Sequence, residues 1–235
     1  MPSFTYRSND IEIMDDLNCA GEVVDQTLRE LETINTLLGG NHVTISGVKK
    51  LLSKKSATNF TIADLGCGGG DILKLVALWG RKRGLKFRLT GIDANLNIIA
   101  FARKNSEGFP EINYEFDNIF SGEFMAKKYD LILATLFMHH FTEDQLVEVF
   151  RSLKTQAAIG IVINDIHRHW FAFHSIRLLT QLFSKSKMVK YDAPLSVLRA
   201  FKKSELQSIL QKAGIESYLL KWKWAFRWQL IITTT

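Results

Sequence analysis

Cysteine and proline are both scarce in this sequence of 235 residues, which contains two cysteines and three prolines. Cys19 and Cys67 cannot form a disulfide framework or a zinc site by themselves, so we expect a reducing, cytoplasmic location. No apolar run approaches the ~18 residues that cross a membrane, and no membrane span is predicted. Several charged side chains within residues 1–20 exclude the apolar core of a signal peptide.

Basic residues exceed acidic ones and give a net charge of +6. They fall in small groups, such as those at 81–86 and 185–190. A nucleic-acid binder is one interpretation of this excess, and solvated helix ends and loops are the other. Because no group is long or interleaved with aromatic residues, we predict no nucleic-acid partner.

Strand-like and helix-like segments alternate along the chain after residue 58. Apolar strand patterns appear in "NFTIADLG", "KFRLTGID", "INYEFD", "YDLILATLF" and "AAIGIVIND", and two more surround "WAF" near the end. Short helical patterns between strands are typical of βαβ units. We predict an α/β, doubly wound, mostly parallel seven-stranded sheet of Rossmann-like type with an antiparallel C-terminal strand pair. Residues 1–55 are expected to form an N-terminal helical cap, and 56–235 the main domain with an inserted helical lid at about 167–203.

Four glycines fall within residues 66–70, directly after the first predicted strand. Glycine loses more conformational freedom on folding than any other residue, so this cluster needs a physical reason. In a doubly wound sheet, a glycine-rich turn from the first strand into a helix lets the backbone approach a ligand closely. Gly66 and Gly68 are therefore predicted to bind a cofactor.

Carboxylates around this turn indicate the charge of that cofactor. Asp64 and Asp71 flank the glycines, where they would repel a pyrophosphate bound at the helix N-terminus. Asp93 ends the next strand, where a carboxylate can accept hydrogen bonds from both ribose hydroxyls. A nicotinamide dinucleotide shares the ribose, but S-adenosylmethionine has an ammonium and a sulfonium and no phosphate. The acids therefore favour S-adenosylmethionine.

Four segments in order resemble the motifs of class I S-adenosylmethionine-dependent methyltransferases: "ADLGCGGGD", "GIDAN", "FDNIF" and "YDLILATLFMHHF". The resemblance covers about residues 58–155, and it implies S-adenosylmethionine as cofactor and S-adenosylhomocysteine as product. It also implies that Asp117 hydrogen-bonds the adenine amine and that Asn118 or Ile119 lies along the ring. The further cofactor-binding positions within these motifs are Cys67, Ala94 and Ala134.

Shorter segments resemble bacterial small-molecule methyltransferases that are associated with type III polyketide synthases. They are "YRSNDIEIMDD", "RELETINTLLGG", "LFMHHF", "INDIHRH" and "YDAPLSVLRAF". This resemblance implies an aromatic acceptor with a phenolic or polyketide-derived hydroxyl. It also implies that the N-terminal segment folds over the cofactor, where Arg7 would meet the methionine carboxylate.

Histidines follow the fourth and fifth predicted strands, at the end of the sheet where this fold presents reacting groups. His139 and His140 follow the fourth strand, and Asp165 and His167 lie at the end of the fifth. A neutral imidazole can accept a proton from the acceptor hydroxyl. His140, His167 and His139 are the candidate bases, and Asp165 is expected to orient a histidine or to hold the acceptor.

No metal site is predicted, because the histidines at 167, 169 and 174 have no acid or cysteine on the same face. Alternatives to O-methylation are a C-methyltransferase of the quinone-biosynthesis type and a protein or nucleic-acid methyltransferase. Methylation of base amines is disfavoured because "ATLFMHHF" contains no proline. A nicotinamide oxidoreductase and an inactive cofactor-binding module are further alternatives. The first long helix could pack within the chain or across a homodimer.

Overall fold

Seven strands form one sheet in the order β3-β2-β1-β4-β5-β7-β6, which confirms the predicted fold class. The structure is a computed structural model that describes residues 2–53 and 55–234. The strands are β1 (Asn59–Leu65), β2 (Lys86–Asp93), β3 (Ile112–Phe116), β4 (Tyr129–Thr135), β5 (Ala157–Ile166), β6 (Tyr218–Lys223) and β7 (Arg227–Thr233). Strands β1 to β5 pair in parallel, and β7 is antiparallel to both β5 and β6.

Helices cover both faces of the sheet because its central strands are apolar on both sides. The helices are α1 (Glu22–Leu37), α2 (Gly40–Leu52), α3 (Asp71–Arg83), α4 (Leu96–Asn105), α5 (Gly122–Ala126), α6 (Glu143–Gln156), α7 (Trp170–Phe183), α8 (Lys187–Arg199) and α9 (Lys203–Lys212). Leu131 and Leu133 of β4 pack with α2 and α3, while Ile132 packs with α6 and α9. The alternation of side chains along each strand therefore supplies two separate cores.

Helices α1 and α2 meet at a turn formed by Gly39 and Gly40. The sequence pattern predicts a helix from residue 45, but α2 already begins at Gly40. Gly39 has φ +70°, which turns the chain between the helices. A Cβ on Gly40 would lie 2.7 Å from Cζ of Arg227, so any larger residue there requires the Arg227 guanidinium to shift. The glycine pair joins two helices instead of only ending the first.

Three elements cover the carboxyl end of the parallel strands: the segment before α1, helix α7 and helix α8. Helix α1 packs within the chain, because Val24 and Leu28 are buried with Ile98 of α4 and Met188 of α8.

Helices α7 and α8 lie within the stretch expected to be the lid, and the domain boundaries stay predictions. Among the described residues, no helix has the length and apolar character needed to cross a membrane.

Candidate active site

One large cavity, of about 1240 Å³, opens at the carboxyl ends of the parallel strands. The glycine turn after β1 and the ends of β2 and β4 line one side of it. Helices α1, α7 and α8 and the turn between β6 and β7 line the other. A doubly wound fold binds ligands at this place. The predicted cofactor loop therefore borders the same cavity as His139 and His140.

The glycine turn lies against the wall of the cavity and cannot carry side chains at several positions. Gly66 has φ +61°, and a Cβ there would lie 2.1 Å from the ring of Phe137. Gly68 has φ +50° and borders the cavity, so its backbone is open to a ligand. Cys67 also lines the cavity, and its backbone N–H donates to the carbonyl of Ile92 at 3.1 Å. The turn is held against β2 and presents backbone to the cavity.

The predicted acids lie around the glycine turn, and burial makes their charge costly. Asp64 is 2% exposed and its Oδ1 has no hydrogen-bond partner. Burial, together with the charges of Asp71 and Asp93, raises the pKa of Asp64 to about 8. Asp93 accepts from Asn95 N–H at 3.0 Å, yet burial still raises its pKa to about 6. Within the part of the chain that the structure describes, neither of these two carboxyls forms an ion pair.

Asp71 differs from the other two acids because it has a basic neighbour. Its carboxylate lies 3.0 Å from Nζ of Lys74, one helical turn along α3. Burial raises the pKa of Asp71, and the hydrogen bond from Lys74 opposes that increase. Asp71 also lines the cavity, as the sequence predicts.

Asp117 and Asn118 line the cavity after β3, but both are already hydrogen-bonded. Asp117 pairs with Nζ of Lys127 at 2.7 Å and accepts from the hydroxyl of Ser121 at 2.8 Å. Oδ1 of Asn118 accepts from Phe120 N–H at 3.0 Å. Each carboxylate oxygen accepts more than one hydrogen bond, so Asp117 keeps capacity for a ligand amine.

The two predicted alanines have different surroundings. Ala94 lines the cavity directly after β2. Ala134 is fully buried between the sheet and α6 and does not border the cavity, so its part in the cofactor site stays a prediction. Side chains alternate along β4, and the residues that follow Ala134, namely Thr135 to Phe137, reach the cavity in its place.

His139 is buried at the end of β4 and is held by Asp165 of β5. Its Nδ1 lies 2.8 Å from Oδ1 of Asp165, and its backbone N–H donates to Oδ2 at 3.2 Å. Burial alone would raise the pKa of Asp165, but His139 and the N–H of Ile166 lower it below its usual range. Asp165 therefore orients a histidine, the first of the two roles considered for it.

His140 is half-buried, lines the cavity and has a different carboxylate partner. Its Nδ1 lies 2.6 Å from Oδ1 of Asp15, and the other oxygen of Asp15 pairs with Arg199. Burial opposes ionisation, but these two partners lower the pKa of Asp15 below its usual range. Each ring thus has a carboxylate on Nδ1, which leaves Nε2 as the free ring nitrogen.

Glu12 completes the histidine end of the cavity. It is 4% exposed, and its Oε2 accepts from the hydroxyl of Ser196 at 2.8 Å. Its Oε1 lies 3.7 Å from Nε2 of His139 and 3.6 Å from Arg199. Burial raises the pKa of Glu12 to about 7, and the nearby His140 opposes that increase.

Arg7 has partners other than a cofactor carboxylate. Its guanidinium donates to the carbonyls of Arg199 at 2.7 Å, His139 at 2.8 Å and Phe141 at 2.9 Å. It also lies over the ring of Phe201 at 4.5 Å. These contacts fix the N-terminal segment to the end of β4 and to α8. Arg7 also lines the cavity, and its predicted contact with the methionine carboxylate stays a prediction.

His167 lies outside the cavity lining, unlike the other two candidate bases. Its Nδ1 accepts from the indole N–H of Trp222 at 3.3 Å, and its ring packs on Trp228 at 5.0 Å between centroids. Burial, and then the neighbouring His169, lower its pKa. The contacts of His167 with β6 and β7 therefore speak against its predicted role as the base.

The sequence patterns do not predict the two acids that contact the histidines. Glu12 and Asp15 lie 127 and 125 positions before their partners His139 and His140 in the chain. The only signal was the motif "EIMDD", whose acids stand beside apolar residues before the first helix.

Residues 62–157 match the model of a family described as "Methyltransferase domain". The plantazolicin methyltransferase BpumL with bound S-adenosylhomocysteine is similar over 83% of this chain and 72% of its own, with 22% identity and a TM-score of 0.61. Human N-acetylserotonin methyltransferase with S-adenosylmethionine is similar over 89% and 55%, with 15% identity and a TM-score of 0.62. Magnesium protoporphyrin IX methyltransferase from Synechocystis PCC 6803 is similar over 84% of both chains, with 14% identity and a TM-score of 0.57. No curated protein matches the sequence.

The chain therefore contains a methyltransferase domain within a Rossmann-like methyltransferase fold. The domain match confirms the predicted enzyme class, an S-adenosylmethionine-dependent methyltransferase. The neighbours confirm the fold, and their bound S-adenosylmethionine or S-adenosylhomocysteine agrees with the predicted cofactor. The association with type III polyketide synthases stays a prediction.

Proposed function

We propose that this chain transfers the methyl group of S-adenosylmethionine to a hydroxyl of a small aromatic acceptor, phenolic or polyketide-derived. One observation carries the proposal. The cavity has at its glycine turn Asp64 and Asp93, which form no ion pair within residues 2–53 and 55–234, and it has a histidine pair at the end of the neighbouring strand β4. The first end suits a cationic nucleoside, and the second suits a hydroxyl that must lose a proton.

At the cofactor end, each part of S-adenosylmethionine has a group of matching chemistry. Asp93 would accept hydrogen bonds from the ribose hydroxyls, and Asp117 one from the adenine amine. The ammonium and sulfonium would lower the cost of the buried charge at Asp64. A nicotinamide dinucleotide would bring its diphosphate against the same acids, which disfavours it.

At the acceptor end, His140 and His139 are placed to take the proton of the hydroxyl. A free phenol has a pKa of about 10 and a free imidazole about 6.5, so complete proton transfer is uphill by about 5 kcal/mol. We therefore propose that proton loss is concerted with methyl transfer. In that step the O–CH3 bond forms as the S–CH3 bond breaks, and S-adenosylhomocysteine leaves uncharged. Orientation within a closed cavity supplies up to about 7–11 kcal/mol of the remaining barrier in favourable cases.

Calorimetric titration separates the cofactor classes. We expect S-adenosylmethionine and S-adenosylhomocysteine to bind the wild-type protein and NADH to give no heat above dilution. Preferential binding of NADH would overturn the proposal. Tight S-adenosylmethionine binding without product from any acceptor would identify a binding module without activity.

A panel of phenols, hydroxylated polyketide-like aromatics and quinols, incubated with methyl-labelled S-adenosylmethionine, tests the acceptor. We expect a methoxy product, recognised by mass spectrometry and by the chemical shift of the labelled methyl. Methyl on ring carbon would establish the quinone-type C-methyltransferase instead. Label transferred only to protein or nucleic acid would establish the macromolecular alternative. The cytoplasmic location and the homodimer stay predictions.

A further inference from the structure

Three side chains converge at the histidine end of the cavity, and two of their polar atoms have no partner. One ligand atom from each of Glu12, His139 and His140 lies within 4.8 Å of the other two. Nε2 of His139 is 3.7 Å from Oε1 of Glu12, and both atoms are buried without a hydrogen bond. Two electron-pair donors that have lost their water and face each other are costly unless a cation lies between them.

Carboxylates behind the two rings prepare both histidines for coordination. Asp165 holds Nδ1 of His139 at 2.8 Å, and Asp15 holds Nδ1 of His140 at 2.6 Å. A carboxylate acceptor places the ring proton on Nδ1 and leaves the lone pair on Nε2. Histidines that bind metals have this outer partner as a rule, because it fixes the tautomer and the ring orientation.

The charges around the cluster leave room for two positive charges. Four carboxylates belong to the cluster, contact its histidines or accept from the backbone beside Glu12, namely Glu12, Asp15, Asp165 and Asp192. Two guanidiniums, those of Arg7 and Arg199, contact the same groups. With neutral imidazoles and with all four carboxylates ionised, four negative and two positive charges leave a net charge of two minus. A divalent cation neutralises this balance.

We propose that Glu12, His139 and His140 bind one divalent cation of the zinc class, with a fourth position open to the cavity. Imidazole ligands favour zinc and its transition-metal neighbours over magnesium. Zinc bonds of about 2.1 Å to nitrogen and oxygen put tetrahedral donors about 3.4 Å apart. The observed 3.7 Å between Nε2 and Oε1 is close to that spacing. Two histidines and one glutamate leave one position free, and all three residues border the cavity.

The role of this cation rests on the proposed function, but its binding does not. An acceptor hydroxyl that enters the open position would bind through oxygen and release its proton to water. The bound oxyanion would then attack the methyl carbon, with the O–CH3 bond forming as the S–CH3 bond breaks. In this case the histidines are ligands, and the cation takes their place in activating the hydroxyl.

Metal titration of the full chain without an affinity tag tests the binding. The protein is dialysed against a chelator and titrated with Zn²⁺ by calorimetry and with Co²⁺ by visible absorption. We expect one equivalent bound and a tetrahedral cobalt spectrum. Glu12→Gln and His139→Asn should each weaken binding by more than about 100-fold, and Asp165→Asn by about 10–100-fold. His42→Asn, at an exposed histidine on α2, should bind like wild type.

Thermal melts establish whether each variant folds. If His139→Asn does not fold, the comparison of Glu12→Gln with wild type tests the proposal. Absence of one-equivalent binding to wild type overturns the proposal, as does equal binding to wild type and Glu12→Gln. Full methylation by chelator-treated enzyme would overturn the catalytic role while leaving the proposed function intact. One-equivalent binding with no methylation of any acceptor would support the site and count against the proposed function.

Discussion

Replacing Asp64 by asparagine should stabilise the cofactor-free protein in a manner that depends on pH. Asp64 is buried at the end of β1, and its Oδ1 has no partner. Burial and the charges of Asp71 and Asp93 raise its pKa to about 8. Asparagine has nearly the same shape as the protonated carboxyl, but it carries no charge at any pH.

The size of the effect follows from proton linkage. In the unfolded chain an aspartate titrates near about 3.9, so between about pH 4 and the folded pKa of about 8 the folded state of Asp64 binds more protons. Folding stability from this carboxyl therefore falls as pH rises, by about 1.4 kcal/mol per pH unit. Between pH 5 and pH 7, wild type should lose about 2.7 kcal/mol that Asp64→Asn does not lose.

Urea unfolding followed by tryptophan fluorescence measures this difference at the two pH values. The gain of Asp64→Asn over wild type should grow from pH 5 to pH 7, and saturating S-adenosylmethionine should shrink it by supplying positive charge. Asp144→Asn, at an exposed acid on α6, is the matched control and should show no such trend. Parallel pH profiles for wild type and Asp64→Asn would refute an uncompensated carboxyl at this site.

Three further substitutions test other parts of the site. Asp93→Ala should weaken S-adenosylmethionine binding by more than tenfold in calorimetry, because the ribose loses charged hydrogen bonds. An unchanged Kd would show that the ribose does not bind at Asp93. His140→Ala should lower kcat by about 10²–10⁴-fold with cofactor affinity retained. His167→Ala should stay near the wild-type rate, because the ring of His167 packs on Trp228 outside the cavity lining. Equal losses of kcat in the two variants would contradict the assignment of His140 as the base. Gly70→Ala should lower the Tm, because its Cβ would lie 2.0 Å from the hydroxyl of Tyr114 at φ +79°; an unchanged Tm would show that the turn relaxes.

The sequence predicts well those features that depend on residues close together in the chain. The mostly parallel sheet follows from the alternation of strand and helix patterns, because parallel strands with short crossovers have few arrangements. Thr142 and Gln145 form a capping box at the start of α6, a feature contained in four consecutive residues. Asp64 and Asp93 lie where the ends of adjacent parallel strands must bring them.

The parts that the sequence does not predict depend on contacts between distant segments. Asp15 reaches His140 across 125 positions, and Arg199 reaches Asp15 across 184. Periodicity describes the inner face of one element and contains no information about which loop covers the end of the sheet. The same limit explains Arg7, whose acceptors are backbone carbonyls that any sequence would provide.

Carboxylates lie at both ends of the cavity, but their basic partners differ. Asp15 pairs with Arg199, and Glu12 lies 3.6 Å from the same guanidinium. Among residues 2–53 and 55–234, no basic side chain forms an ion pair with Asp64 or Asp93. A ligand with positive atoms therefore gains free energy beside Asp64 and Asp93. In the proposed function the sulfonium donor accordingly binds at the end of β1 and the acceptor at the end of β4, so that the methyl group passes between the two halves of one cavity.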